Sequence, residues 1–173
     1  MANGKGLVRS LNRSGSKSGK VAPAERRIGR LAEPTACERC GAVFLHRAWQ
    51  RSGRVSHAVL ERAAWTVCPA CRQVQAQEGC GRVIVQGTFV RAHEAEIRAR
   101  LANIAAQAAS TQPERRIVSI EGVRGALDIV TTSQKLAHRL VHELKKAFKG
   151  RATYSWSDDG TLFATWQRDE VAR

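Results

Sequence analysis

Apolar residues recur every three or four positions in the segment 93–110, and this period predicts an amphipathic helix. The residues on its apolar face are Ile97, Leu101, Ile104 and Ala108. The positions between them are mostly polar or small, as expected for a helix with one buried side. Pro113 bars the helix from continuing, because proline has no amide hydrogen for a helix interior.

A second amphipathic helix is predicted over the segment 132–150. Its apolar stripe consists of Leu136, Leu140, Val141, Leu144 and Phe148. Thr131 and Gln134 have the spacing of a capping box at its start, and Thr132 and Ser133 are the alternative N-caps.

Five short runs rich in β-branched or aromatic residues flank these helices and predict strands. The runs are GRVIVQGTF (81–89), RRIVSIEG (115–122), GALDIVTT (125–132), ATYSWS (152–157) and TLFATWQ (161–167). The order β-α-β-β-α-β-β begins with the six elements of a split βαβ sandwich. We therefore predict an α+β protein in which residues 81–173 form a ferredoxin-like βαββαβ domain. The one extra C-terminal strand would extend the sheet.

Two helices on one face of such a sheet leave its other face free, and many RNA-binding modules use a free sheet face. Tyr154 and Trp156 point to the same side of their strand, and Trp166 is close enough in sequence to join them across the hairpin. The three rings have two interpretations. They stack on bases, or they pack under the helices or against the preceding module, and the second interpretation is favoured.

Four of the five cysteines form two CxxC pairs, Cys37/Cys40 and Cys68/Cys71. Two intervening residues let both thiolates of a pair turn toward one point, and two such pairs complete a closed tetrahedral site. A closed site holds a fold together and leaves no position for chemistry. We therefore predict a zinc-ribbon-like module over residues 37–80 with one structural Zn²⁺; iron in a rubredoxin-like site is the alternative metal.

Other candidate ligands in the chain have weaker patterns. Cys80 lies nine residues past Cys71, outside the pair spacing, and is interpreted as a small buried residue, although it can replace one ligand. His46 and His57 fall between the pairs and are interpreted as loop or surface residues. No phosphate loop, nucleophile elbow or catalytic triad is apparent, so the chain is not predicted to be an enzyme.

The first 36 residues carry eight basic residues against two acids, with few large apolar groups. Such a composition cannot offset the entropy of ordering, so residues 1–36 are predicted to be a disordered basic arm. The arm residues predicted to contact phosphates are Arg9, Arg13, Lys17, Lys20, Arg26, Arg27 and Arg30. A solvated tail that aids solubility is the alternative interpretation.

The whole chain of 173 residues has 29 Lys and Arg against 15 Asp and Glu, a net charge of +14. A field of this sign favours polyanionic partners, above all nucleic acid. The predicted second helix adds a basic outer face that is predicted to contact a phosphate backbone, with a merely solvated helix face as the equal alternative. Its residues are Lys135, Arg139, Lys145, Lys146 and Lys149. No apolar run is long enough to span a membrane and no secretory signal is apparent, so we expect a cytoplasmic protein that does not bind membranes.

The stretch GALDIVTTSQKLAHRLVHELKKAFKG (125–150), following two CxxC pairs, resembles the corresponding stretch of the large-ribosomal-subunit export adaptor (NMD-three) family. The chain is similar to a short bacterial-type relative with a single zinc-ribbon-like module, where the family usually has more CxxC pairs and further domains. The resemblance implies association with ribosomal RNA or the large ribosomal subunit. We therefore expect a non-catalytic, zinc-binding RNA-binding protein that is ribosome-associated. The alternative is a zinc-ribbon adaptor in protein interaction or transcription, with a protein partner.

Overall fold

The computed structural model describes residues 31–170. Its N-terminal part is a small sheet of three-residue strands in the order β3-β2-β1-β4. These strands are β1 (Thr35–Cys37), β2 (Val43–Leu45), β3 (Ala48–Gln50) and β4 (Ala64–Thr66). Two short helices accompany them, α1 (His57–Glu61) and α2 (Pro69–Ala76). Strand β4 pairs with β1 in parallel, whereas β1, β2 and β3 are joined antiparallel.

The C-terminal part is a five-stranded sheet in the order β6-β7-β5-β9-β8, with helices on one face. Its strands are β5 (Gly81–Gln86), β6 (Ile117–Val123), β7 (Ala126–Thr131), β8 (Arg151–Trp156) and β9 (Leu162–Gln167). Its helices are α3 (Thr88–Ala92), α4 (Glu94–Thr111) and α5 (Gln134–Phe148). The predicted α+β class is therefore confirmed.

The last strand does not extend the sheet at its edge, as we predicted for a ferredoxin-like domain with one extra C-terminal strand. Strand β9 lies between β5 and β8 and pairs with β5 in parallel. The burial of the two strands gives the physical reason. In β9, Leu162, Ala164 and Trp166 are at most 1% exposed. Strand β8 has no buried residue. The strand with the more buried face therefore takes the inner position, and β8 becomes the edge.

Helix α3 was not predicted, because the run 81–89 looks like one continuous strand. The strand ends at Gln86, and Gly87 has φ +116, a conformation that side-chain-bearing residues rarely adopt. Helix α3 then begins at Thr88.

Of the candidate N-caps of α5, Ser133 is the one that caps the helix. Its hydroxyl oxygen accepts a hydrogen bond from the Leu136 amide at 3.2 Å.

The core of the C-terminal part lies between α4, α5 and one face of the sheet. All the predicted apolar-stripe residues of both helices are buried, and Leu101, Leu140 and Leu144 have no measurable exposure. The opposite face of the sheet carries charged residues on its central strands. Arg82 on β5 and Asp128 on β7 form an ion pair there, with Nε and Oδ1 2.9 Å apart.

Candidate metal centre and basic surface

The first cysteine pair is a tight turn at the end of β1. The Cys37 amide donates to the Ala42 carbonyl at 2.7 Å, and the Gly41 amide donates to the Cys37 carbonyl at 2.9 Å. Gly41 has φ +68, and a Cβ built on it would meet no atom within 4 Å. The backbone conformation, and not a lack of space, is therefore what favours glycine at this turn.

The second pair is the start of helix α2. Cys68 is the N-cap, and its sulfur accepts a hydrogen bond from the Cys71 amide at 3.4 Å. Pro69 occupies the first turn of the helix, where its missing amide hydrogen costs nothing. The helical turn therefore presents the sulfurs of Cys68 and Cys71 on one side, facing the first pair.

The four predicted ligands come together: the Sγ atoms of Cys37, Cys40, Cys68 and Cys71 all lie within 4.8 Å of one another. The Cys37–Cys71 and Cys40–Cys68 sulfur distances are both 3.8 Å. A tetrahedral ion with metal–sulfur bonds of about 2.3 Å requires edges of about 3.8 Å. The sulfurs are too far apart for disulfides, and their spacing fits one metal ion.

The environment of the thiols also fits a cation. Burial is the largest influence on the Cys37 thiol and raises its pKa. Hydrogen bonds from the backbone of Cys68, Cys40 and Arg39 outweigh burial, and lower that pKa to about 6. Burial raises the pKa of Cys68, and also that of Cys71. Burial thus disfavours the thiolate forms of Cys68 and Cys71. For all four cysteines to be thiolates, a positive charge is needed at the centre of the cluster, and a divalent ion supplies it.

Sequence reasoning missed Arg116, which lies just before β6 and touches the cysteine cluster. Its Nη1 donates to the Cys71 sulfur at 3.3 Å, and its Nε donates to the Pro113 carbonyl at 2.7 Å. Burial alone would lower the pKa of Arg116. Hydrogen bonding to Cys40 and Cys71, and their charges, reverse this and raise it. No pattern distinguishes this arginine from Arg115, because the contact joins distant parts of the chain.

The remaining candidate ligands lie outside the cluster. Cys80 is half-buried, and its sulfur accepts a hydrogen bond from Gln73 Nε2 at 3.3 Å. His46 and His57 are exposed, as predicted. Within residues 31–170, the four cysteines are the one group of three or more His, Cys, Asp or Glu side chains placed to hold an ion.

The predicted nucleic-acid residues of the arm, from Arg9 to Arg30, lie outside the described residues. On α5 and its C-cap, four of the five predicted basic residues are exposed, namely Lys135, Lys145, Lys146 and Lys149. Arg139 is half-buried, and its Nη2 donates to Gln107 of α4 at 3.3 Å. Arg139 therefore lies on the flank of α5 that faces α4, while the lysines are accessible to a partner.

The three aromatic residues of the C-terminal hairpin divide between the two interpretations. Trp166 is a core residue with no exposure, and its Nε1 donates to the Lys149 carbonyl at 2.8 Å. Tyr154 and Trp156 on β8 are 41% and 63% exposed. The core interpretation is therefore right for Trp166 and wrong for the other two rings.

No protein-family model matches the chain, and no curated protein or solved structure matches it. In the part of the chain from residue 31 to residue 170, no helix is both long and apolar enough to cross a membrane. The four-cysteine cluster is thus the feature that defines the class of this protein: a basic α+β protein whose sulfurs are placed to bind one metal ion.

Proposed function

We propose that this chain is a non-catalytic RNA-binding protein that carries one structural Zn²⁺ and associates with the ribosome. The observation that carries the zinc assignment is the cluster of four sulfurs with tetrahedral spacing. Cysteine-only tetrahedral sites are typical of structural zinc, and all four positions are taken by protein. Iron is the competing metal for the same donor set. Such thiols remain reduced in the cytoplasm, where we place the protein.

The proposed role of the ion is to hold the small sheet together. Its strands have only three residues each, and its buried cluster consists of Cys37, Ala42, Trp49, Cys68, Ala70 and Cys71. Half of that cluster is metal ligands. So small a core buries too little apolar surface to be stable alone, so metal binding supplies folding energy.

RNA binding is supported by charge. The chain has a net charge of +14, and α5 with its C-cap exposes four lysines on the outer surface of the C-terminal part. Each lysine near a phosphate releases counterions from the nucleic acid, which favours binding at low salt. The large ribosomal subunit is proposed because residues 125–150, which span β7 and α5, resemble the export adaptor family.

Sedimentation through a sucrose gradient with ribosomal subunits tests this function. We expect the wild-type protein to travel with the large subunit and to copurify with RNA at low salt. Replacing Lys145 and Lys146 with alanine should weaken the association at physiological salt, because both side chains are exposed and their loss leaves the core intact. A wild-type protein that stays at the top of the gradient and carries no RNA would contradict the proposal.

A zinc-ribbon adaptor that binds another protein is the second candidate, and one observation favours it. Trp65 lies on β4, an outer strand of the metal-binding sheet, and is 63% exposed. Large exposed aromatic residues are common at protein interfaces. Clean protein without RNA, with a protein partner that is lost on Trp65→Ala substitution, would support this candidate.

A further inference from the structure

The outer strand β8 places two aromatic rings beside helix α5. Cross-strand neighbours share a sheet face, and Tyr154 pairs with Ala164 while Trp156 pairs with Leu162. Ala164 and Leu162 are buried under the helices. Tyr154 and Trp156 therefore lie on the helix side of the sheet, but at its edge, where 41% and 63% of their surfaces stay exposed.

Helix α5 closes this edge on one side and supplies positive charge. The His138 ring lies against the Tyr154 ring, with centroids 5.0 Å apart and planes inclined by 24°. Gln134 hydrogen-bonds to the Gly160 carbonyl in the turn after β8, which fixes the start of the helix near the end of the strand. The flank of α5 that carries His138 is therefore the flank that borders β8.

The basic residues of that flank follow from helical spacing. Lys145 lies two turns after His138 and on the same side, and Lys135 lies one turn before it. Both lysines are exposed. The one acid of α5, Glu143, is near Arg100 of α4, with Oε2 and Nη2 3.4 Å apart, which places it on the other flank of the helix.

We infer, on the basis of the proposed RNA binding, that the ligand of this surface is single-stranded RNA. The aromatic–basic strip consists of Lys135, His138, Lys145, Tyr154 and Trp156. Exposed rings stack on unpaired bases of any sequence, and flanking cations contact the phosphates of the same strand. The bases of a duplex are already stacked on one another, so a duplex gains nothing from these rings.

Trp156→Ala tests the inference, and Trp65→Ala is its matched control. Both tryptophans are 63% exposed, so both substitutions remove the same area of accessible ring without opening the core. Binding to a fluorescent 12-nucleotide oligo(U) and to a 12-base-pair RNA duplex is measured at the same salt concentration. Losing one stacked base weakens binding by about 5- to 150-fold. We expect this loss when Trp156→Ala binds oligo(U). We expect the affinity to change less than about twofold when Trp65→Ala binds oligo(U), or when either variant binds the duplex.

The outcomes separate this inference from the proposed function. If wild-type protein binds oligo(U) and Trp156→Ala binds it equally well, the strip does not stack on bases, whereas RNA binding itself stands. An equal loss of affinity for the duplex would also overturn the inference, because it would indicate a charge or folding effect. If the wild-type protein binds neither RNA, the proposed function fails and the inference fails with it. Thermal melting of each variant, expected to match wild type, excludes misfolding.

Discussion

Replacing Arg116 with glutamine should weaken metal binding while leaving all four ligands in place. The guanidinium donates to the Cys71 sulfur at 3.3 Å, and its positive charge lies beside a site that bears two net negative charges when four thiolates hold a divalent ion. A hydrogen bond to a charged group is worth about 1.5–3 kcal/mol. Arg116 is only half-buried, so solvent screening favours the lower value. We therefore expect about a tenfold rise in the metal dissociation constant.

Competition with a chromophoric chelator measures this change, and Arg115→Gln is the matched control. The neighbouring arginine is also half-buried, and its substitution changes the net charge by the same amount. Its side chain makes no hydrogen bond or ion pair within the described part of the chain. If the two variants lose metal at the same concentration of chelator, Arg116 does not support the site and the reasoning is refuted.

Two further predictions concern stability. Cys40→Ser should release the metal and expose residues 31–80 to protease, because it removes one of four ligands. Cys80→Ser should do neither, because Cys80 lies outside the cluster. Metal content and limited proteolysis measure both effects, and a zinc-loaded Cys40→Ser protein would contradict the site. Leu140→Ala should cost about 2–5 kcal/mol in urea unfolding, since Leu140 has no exposure and its truncation leaves a cavity. A cost below 1 kcal/mol would mean that α5 does not pack as described.

The elements that could be predicted from sequence are those set by local rules. The period of apolar residues placed α4 and α5 within a few residues of their observed bounds. The CxxC spacing identified the four sulfurs that the fold brings together. In both cases neighbouring residues determine the geometry, so a single stretch of sequence contains the necessary information.

The features that could not be predicted depend on contacts between distant segments. Apolar residues occupy every second position of β8, and β9 begins with three consecutive apolar residues. Both patterns fit a strand with one buried face, so neither identifies the strand that takes the inner position. In the structure, β9 takes the inner position because Leu162, Ala164 and Trp166 pack into the core. The same packing buries Trp166 and leaves Tyr154 and Trp156 exposed on the edge strand. Arg116 reaches Cys71 across 45 residues of chain, and no local motif encodes that contact.

The metal centre and the aromatic–basic strip belong to opposite edges of the large sheet. Helix α2 and Arg116 contact the β6 side, whereas Tyr154 and Trp156 lie on β8, and three strands separate the two edges. With neighbouring strands about 4.8 Å apart, the edges are roughly 19 Å apart. That distance exceeds the screening length of about 8 Å at physiological salt, so loss of the metal should change oligo(U) affinity less than loss of Trp156 does. Oligo(U) titration of Cys40→Ser beside Trp156→Ala compares the two, and a larger loss in the cysteine variant would place the RNA surface on the metal-binding module instead.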